Sequence, residues 1–444
     1  MFLKSLMIKN INHLKHGGLK IFINKLITLF LIFLQIPLYF LYLPILILIY
    51  IISPIFLIRF SPLRSSRIGR FAATTELYCC EKDEKINQPK NSFLDIFFIR
   101  NRSVSNKQLA KMWKRSLIIL PEFFISPLFY ANKFVSNFFK FFKKHDISEN
   151  SLALRNEHDI YNLLEKHPPH LKFTENEERI GKEYLKEMGL NSEDKFVCII
   201  SRDEKYLEEF DHNNYSYHDF RNIGINRFLL SAEEISKRGY FVFRMGKKVK
   251  HAFKSNNPKI IDYANSKKRS DFLDIYLGAK CFFCLSSHTG YDNIPVIFRK
   301  PIVYISVPIA FFFTHCKNSI VITRHHYSIK KKRNLKLSEI ACSEIARTQN
   351  SNTFEKLGVK IEEPSPNDIR DASVEMIDRL EGKWQNENED LELQKKFWNI
   401  YLSSPFTKEF TKEQRPNKSD RKLHGEIKIK FGSKFLRNNR EWLN

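Results

Sequence analysis

The feature that most constrains this 444-residue chain lies near its start: from Leu26 to Ile58 no residue is charged, a run of 33. A helix needs roughly 20 apolar residues to cross the hydrocarbon core of a bilayer, so the run is long enough to span one. A cleavable signal peptide fits poorly, because its apolar region is only about 7 to 15 residues long and a small-residue cleavage site follows it. The run is expected to be retained and to associate with a membrane. Pro37, Pro44 and Pro54 interrupt it, which leaves three forms open: one kinked span, a shallow hairpin returning to its own side, or an interfacial helix followed by a buried strand. Lys4, Lys9, Lys15, Lys20 and Lys25 precede the run, and Arg59, Arg64, Arg67 and Arg70 follow it, with no acidic residue before Glu76. Basic flanks on both sides favour a cytosolic position for both and draw the chain to an anionic membrane surface.

The whole chain carries the same sign. Its 73 Lys and Arg outnumber 49 Asp and Glu, a net charge of +24, which selects anionic partners: lipid head groups, nucleic acid or phosphorylated substrates. Nucleic acid fits least, since the basic residues are dispersed and the aromatics sit in apolar runs instead of alternating with Lys and Arg. The length calls for two compact domains. Seven cysteines, an odd number without a repeating framework, argue for a reducing compartment.

Beyond the apolar run the elements alternate. Residues 55–60 read as a buried strand, 61–69 as a glycine-containing loop and 72–80 as a helix, the opening of a Rossmann-like unit. A strand at 94–99, a helix at 107–114 and a strand at 116–120 follow. Thr174 and Glu177 have capping-box spacing at a helix start. A second series then runs through strand 196–200, helix 225–237, strand 240–244, short strand 260–262, helix 270–279, strand 281–285, short helix 293–298 and strand 302–306. The expected fold is α/β, two Rossmann-like domains with an N-terminal hydrophobic membrane segment. Residues 1–54 would be that segment, 55–172 the N-terminal Rossmann-like domain, 173–384 the C-terminal Rossmann-like domain, and 385–444 a tail packing back on the N-terminal domain. Paired domains of this kind bind a nucleotide at the carboxyl strand ends of one sheet and face a second substrate across a cleft.

Three loops at such strand ends carry the chemistry. After strand 281–285 come Ser287, His288, Thr289 and Gly290, with Asp292 beginning a helix and Asp271 upstream; small side chains, backbone N–H groups and a helix end suit a diphosphate. Arg202 and Asp203 end strand 196–200, and Arg244, Met245 and Gly246 end strand 240–244. Arginine suits bidentate phosphate contact, and glycine lets a ligand approach the backbone. The stretch 211–222 is dense in polar and aromatic groups, including His212, Tyr217, His218 and Arg221, without helical or strand periodicity, as in loops that carry function. Asp203, His212 and His218 are candidate bases. The chain has no glycine-rich Walker loop and no Asp-x-Asp at a strand end, and no second cysteine pair completes a metal site with Cys281 and Cys284. No metal or other cofactor is expected; arginines would meet the phosphate charge.

These residues resemble a family of bacterial glycosyltransferases associated with surface-polysaccharide (capsule and O-antigen) synthesis. The matching text is Arg67-Ile68-Gly69-Arg70-Phe71-Ala72 with Thr75, Glu76 and Tyr78; Ser201-Arg202-Asp203 with Tyr206; Tyr217 with Arg221 and Asn222; Arg244-Met245-Gly246; Ile261-Asp262-Tyr263; Ser270-Asp271-Phe272 with Asp274; Gly290 with Asp292; Phe298-Arg299-Lys300-Pro301; and, near the end, Gly425-Glu426-Ile427, Gly432, Phe435-Leu436-Arg437, Trp442 and Leu443. Where the family's first motif looks like Arg-Ile-Gly-His, this chain has Arg70 in the fourth place. The resemblance implies a GT-B-like fold, a nucleotide-sugar donor, a lipid-linked or growing glycan acceptor, and work at the cytoplasmic face of the inner membrane. On this reading Arg202, Arg244, Gly246, Asp271, Ser287, His288, Thr289, Gly290 and Asp292 bind the donor. Arg67, Gly69, Arg70, Tyr217 and Arg221 bind the acceptor, and Asp203, Glu76 and His218 are the catalytic candidates. A nucleotide-sugar epimerase of the same architecture is the competing enzyme, though it would need no membrane segment, and a basic membrane-bound nucleic-acid or anion-binding protein is the alternative of another class.

Overall fold

The computed structural model describes residues 23, 41–100, 104–151, 153–154, 159–202, 205, 216–309, 318–405, 407–408 and 428–444. Helix α1, over residues 41–52, leads into the N-terminal unit, a parallel pair of strands, β1 (Phe56–Pro62) and β2 (Ser92–Phe98), joined by helix α2 (Ile68–Asp83). Single parallel bridges from Asp146 to Phe60 and from Ile119 to Phe97 widen the pair on both sides. Alternation along β2 assigns its two faces. Phe97 points to the main core with Phe71 and Tyr78 of α2 and with Leu109 and Trp113 of α3 (Lys107–Ser116). Ile96 and Phe98 point the other way and meet Ile125, Leu128 and Phe129 of α4 (Glu122–Phe138), together with Leu46 and Ile49 of α1.

The C-terminal unit is built on seven strands: β3 (Phe196–Ile200), β4 (Phe241–Arg244), β5 (Ile260–Ile261), β6 (Phe283–Ser286), β7 (Ile302–Val307), β8 (Ile320–Thr323) and, near the end of the chain, β12 (Lys430–Phe431). They form one sheet in the order β12-β8-β7-β6-β3-β4-β5, parallel at every pairing. All of β3 is buried, which is why Phe-Val-Cys-Ile-Ile shows no polar alternation: a central parallel strand is covered on both faces. The expected capping box is present, with Glu177 N–H donating to Thr174 Oγ1 at 3.3 Å and Thr174 N–H to Glu177 Oε2 at 2.9 Å. A small antiparallel sheet, β10 (Arg333–Asn334), β9 (His325–Ser328) and β11 (Val359–Glu362), lies beyond β8.

Two parts of the expected fold class are corrected. Among the described residues no helix is long and apolar enough to cross a membrane. The first part of the uncharged run, residues 26–40, lies outside the described residues; the rest divides into α1, a turn at 53–55 and the start of β1. A buried parallel strand and a half-buried helix are both apolar, so a hydropathy run merges them into one segment. Leu46 and Ile49 are also engaged in packing against protein. Secondly, the N-terminal unit is a two-stranded sheet, with single bridges where further Rossmann strands would lie. The described part of the C-terminal tail adds β12 to the large sheet through β8 and packs Phe431 and Trp442 against Phe397, while Lys428 reaches Glu165.

Candidate functional site

Strands β3 and β6 are neighbours, yet the chain leaves β3 towards β4 on one side and returns to β6 on the other. The loops after these strands therefore diverge and open a crevice at their carboxyl ends, where open α/β sheets place ligands. Arg202 lies two residues past β3 and donates its backbone N–H to Ser287 Oγ at 2.7 Å; Ser287 follows β6 and donates its own N–H to Ile200 O at 3.1 Å. The chain then turns at His288 with φ +62°, a left-handed conformation unfavourable for a side chain of this size. The turn sets both the carbonyl oxygen and Nδ1 of His288 3.1 Å from Nη2 of Arg221. Arg324, directly after β8, donates from Nε to Ser306 O at 3.2 Å and from Nη2 to Asn222 O at 2.9 Å.

The crevice is thus ringed by cations that repel one another. Burial and the Arg202 and Arg324 charges push the Arg221 guanidinium down to about 9, against the attraction of Asp292. Burial and the neighbouring arginines Arg202 and Arg227 push Arg324 down to about 10, against Glu363. The same field keeps two imidazoles neutral: burial with Arg221, Arg202 and Arg67 lowers His218 to about 4, and burial with Arg221 and Arg202 holds His288 well below its ordinary value. Arg67 comes from the other unit, immediately before α2. A convergence of guanidiniums in one crevice is the electrostatic arrangement of an anion site. His218 adds a buried Nδ1 without a hydrogen-bond partner among the described residues, and its ring lies 4.0 Å from that of Tyr217.

Other sequence candidates have structural tasks. Arg244 is 1% exposed, pairs with Asp262 Oδ1 at 3.2 Å and donates to His251 O at 3.2 Å; its guanidinium organises the loop between β4 and β5. Gly246 has φ +154°, and a Cβ there would come within 2.6 Å of Val249 Cγ1. Asp271 joins the two units, accepting the Lys107 N–H at 2.8 Å on Oδ2 while its carbonyl accepts from Asn106. Thr289 and Asp292 satisfy each other: Asp292 accepts the Thr289 N–H at 2.8 Å and the Thr289 hydroxyl at 3.0 Å, and Ser286 also donates to it. That amide is therefore already bonded within the loop. Burial raises the Asp292 carboxyl to about 6 despite these donors.

Gly69 and Gly290 meet face to face between the units, since a Cβ on Gly69 would lie 2.9 Å from the Gly290 carbonyl oxygen. Arg70 is exposed on the same turn. Glu76, fully buried, pairs with Arg299 Nη2 at 2.6 Å and with His170 Nδ1 at 3.1 Å. Glu76, Cys80 and His170 have the spacing of a metal trio, but the Arg299 guanidinium already sits against Glu76 and lies 3.8 Å from Cys80 Sγ, so a cation is in place there. Asp203 and His212 lie outside the described residues. Sequence reasoning assigns no role to Arg324 or His170; the signal for Arg324 is its position directly after the apolar Ile320–Thr323, the same grammar that marks Arg202.

No protein-family model and no curated protein matches the chain. Among solved structures it is similar to a glycosyl transferase family 9 protein from Veillonella parvula, at 11% identity and a TM-score of 0.35 over 60% of this chain and 85% of that one. It is similar also to E. coli ADP-heptose LPS heptosyltransferase II, at 13% identity and a TM-score of 0.35 over 60% of this chain and 90% of that one. Overlaps this small leave the chemistry of the site to its own residues.

Proposed function

We propose that the chain is a glycosyltransferase that uses a nucleoside-diphosphate sugar, with the diphosphate in the crevice between β3 and β6. The observation that carries this reading is the convergence of Arg202, Arg221 and Arg324 at the topological switch point of a parallel sheet, with Arg67 facing them from the other unit. A diphosphate would relieve the mutual repulsion of these groups, and charge-assisted bonds from arginine forks are the strong kind. In the transfer an acceptor hydroxyl oxygen bonds to the anomeric carbon as the carbon–oxygen bond to the diphosphate breaks. The guanidiniums stabilise the charge that develops on the leaving group. The acceptor proton goes to a base, for which His218 is the described candidate beside the cations. The resemblance of the sequence motifs favours a lipid-linked or growing glycan as acceptor.

The test is to titrate the chain with nucleoside mono- and diphosphates by calorimetry, then follow nucleoside diphosphate release from a panel of nucleotide sugars with and without EDTA. Diphosphates should bind more tightly than monophosphates, and turnover should survive chelation. Absence of diphosphate binding, or activity wholly dependent on an added divalent ion, would refute the reading.

A further inference from the structure

The far side of the N-terminal unit presents an apolar surface that the proposed transfer does not use. Helix α4 buries Ile125, Leu128, Phe129, Asn132 and Ser136, and its opposite face carries Phe123, Phe134 and Phe138, which helical spacing places in one line. The following short helical segment Lys140–His145 continues the line: Phe134, Phe138, Phe139 and Phe141 are 63–68% exposed. Helix α1 lies alongside, with Tyr50 stacked on Phe142 at 4.0 Å and its hydroxyl donating to Asn132 Oδ1 at 2.8 Å; its own outer residues Leu41, Leu48 and Ile51 are exposed. Monomeric soluble proteins rarely leave aromatic side chains exposed in a contiguous patch of this kind.

The charges within the patch choose its occupant. Between Glu122 and His145 the chain has Lys133, Lys140, Lys143 and Lys144 against the single carboxylate Glu122. The lysines are interleaved with the rings: the Lys144 ammonium lies 3.8 Å from the Phe141 centroid, and that of Lys133 lies 5.7 Å from Phe129. A second copy of the chain docked here would bring lysine against lysine. A bilayer surface with anionic head groups complements both features, since the rings enter the acyl boundary while the ammonium groups reach up to phosphate.

We propose that the α4 face and the segment after it form a docking surface for an anionic lipid bilayer. The test is co-sedimentation of the full chain with vesicles of phosphatidylcholine alone and of phosphatidylcholine mixed with phosphatidylglycerol. The chain should bind the mixed vesicles far better. Phe134→Ser/Phe138→Ser/Phe141→Ser should weaken that binding about 100-fold, three exposed rings having lost their apolar burial. Lys133→Gln/Lys140→Gln/Lys144→Gln should weaken binding to mixed vesicles and leave the weak binding to phosphatidylcholine unchanged. A milder variant, Phe138→Trp, should gain a fluorescence contribution, absent from the unsubstituted chain, that brominated lipid quenches. A folded triple-Phe variant that sediments like the parent chain, an added Phe138→Trp fluorescence blind to brominated lipid, or a parent chain that ignores anionic vesicles would overturn the proposal. So would finding that the triple substitution abolishes self-association instead of vesicle binding.

Discussion

Two arginines near the same sheet edge should respond to truncation in opposite ways. Arg244 is 1% exposed and holds Asp262 at 3.2 Å. Removing one member of a buried pair costs about 3–5 kcal/mol when the survivor is stranded. Asp262 is only partly stranded, since it keeps the Phe253 N–H at 2.9 Å and the Asn265 amide at 2.7 Å, and its side chain is 17% exposed. Arg244→Ala should therefore lose about 2–3 kcal/mol of stability and keep its affinity for nucleoside diphosphate wherever it is folded. Arg221→Ala removes the contacts to Nδ1 and the carbonyl oxygen of His288 but relieves repulsion by Arg202 and Arg324, so it should lose less stability than Arg244→Ala. Its diphosphate affinity should fall by the value of a charge-assisted hydrogen bond, about 1.5–3 kcal/mol, which is about 10- to 150-fold. Urea unfolding and calorimetric titration of both variants check the pair. An Arg244→Ala protein with parental stability and lost affinity, or an Arg221→Ala protein with lost stability and parental affinity, would refute the assignment of roles.

Three further outcomes follow from the geometry. Gly69→Ala places a Cβ 2.9 Å from a backbone oxygen that cannot swing aside and should cost about 1–3 kcal/mol, whereas Gly290→Ala, whose nearest neighbour would be 3.5 Å away, should be nearly neutral; equal urea midpoints for the two would contradict the close approach. His170 is raised to about 10, because burial, which opposes its charge, is outweighed by hydrogen bonds to Cys80 and Glu76 and by the Glu76 carboxylate. A folded-state value above the ordinary 6.5 means stabilisation that is complete below that pH and is lost as pH rises towards 10, so unfolding midpoints should decline over that window for the parent chain and stay flat for His170→Gln. His218 should titrate near pH 4 in the free chain and move upward when pyrophosphate neutralises the neighbouring guanidiniums, visible in its ring proton resonances; a titration indifferent to pyrophosphate would separate His218 from the anion site.

Much of the C-terminal unit was legible because buried parallel strands write themselves as short apolar runs, and the residue types change abruptly where each strand ends. Arg202, Ser287 and His288 stand at such changes, and their placement at a carboxyl edge could be read without coordinates. Which way a strand-end side chain turns could not. Arg244 and Arg324 obey the same local grammar, yet the first is claimed by Asp262 after β5 and the second joins Arg202 and Arg221. That difference depends on strand order, which joins residues more than a hundred positions apart. The donors around the loop after β6 were likewise settled by long-range and local bonding together: Asp292 takes the Thr289 amide, and guanidiniums from the connection after β3 and from the end of β8 border the crevice.

The uncharged run near the start shows the same division most plainly. Composition determined only that apolar side chains of residues 41–58 would gain by burial, because apolar surface is expelled from water whatever the fold. Tertiary structure decided which of them the protein itself covers: Leu46 and Ile49 sink into the α4 side of the β1–β2 pair and Phe56–Pro62 becomes a strand paired with Ser92–Phe98, while Leu41, Leu48 and Ile51 stay exposed. The hydrophobic effect has no direction and names no partner; hydrogen-bond register and the packing of distant side chains supply both.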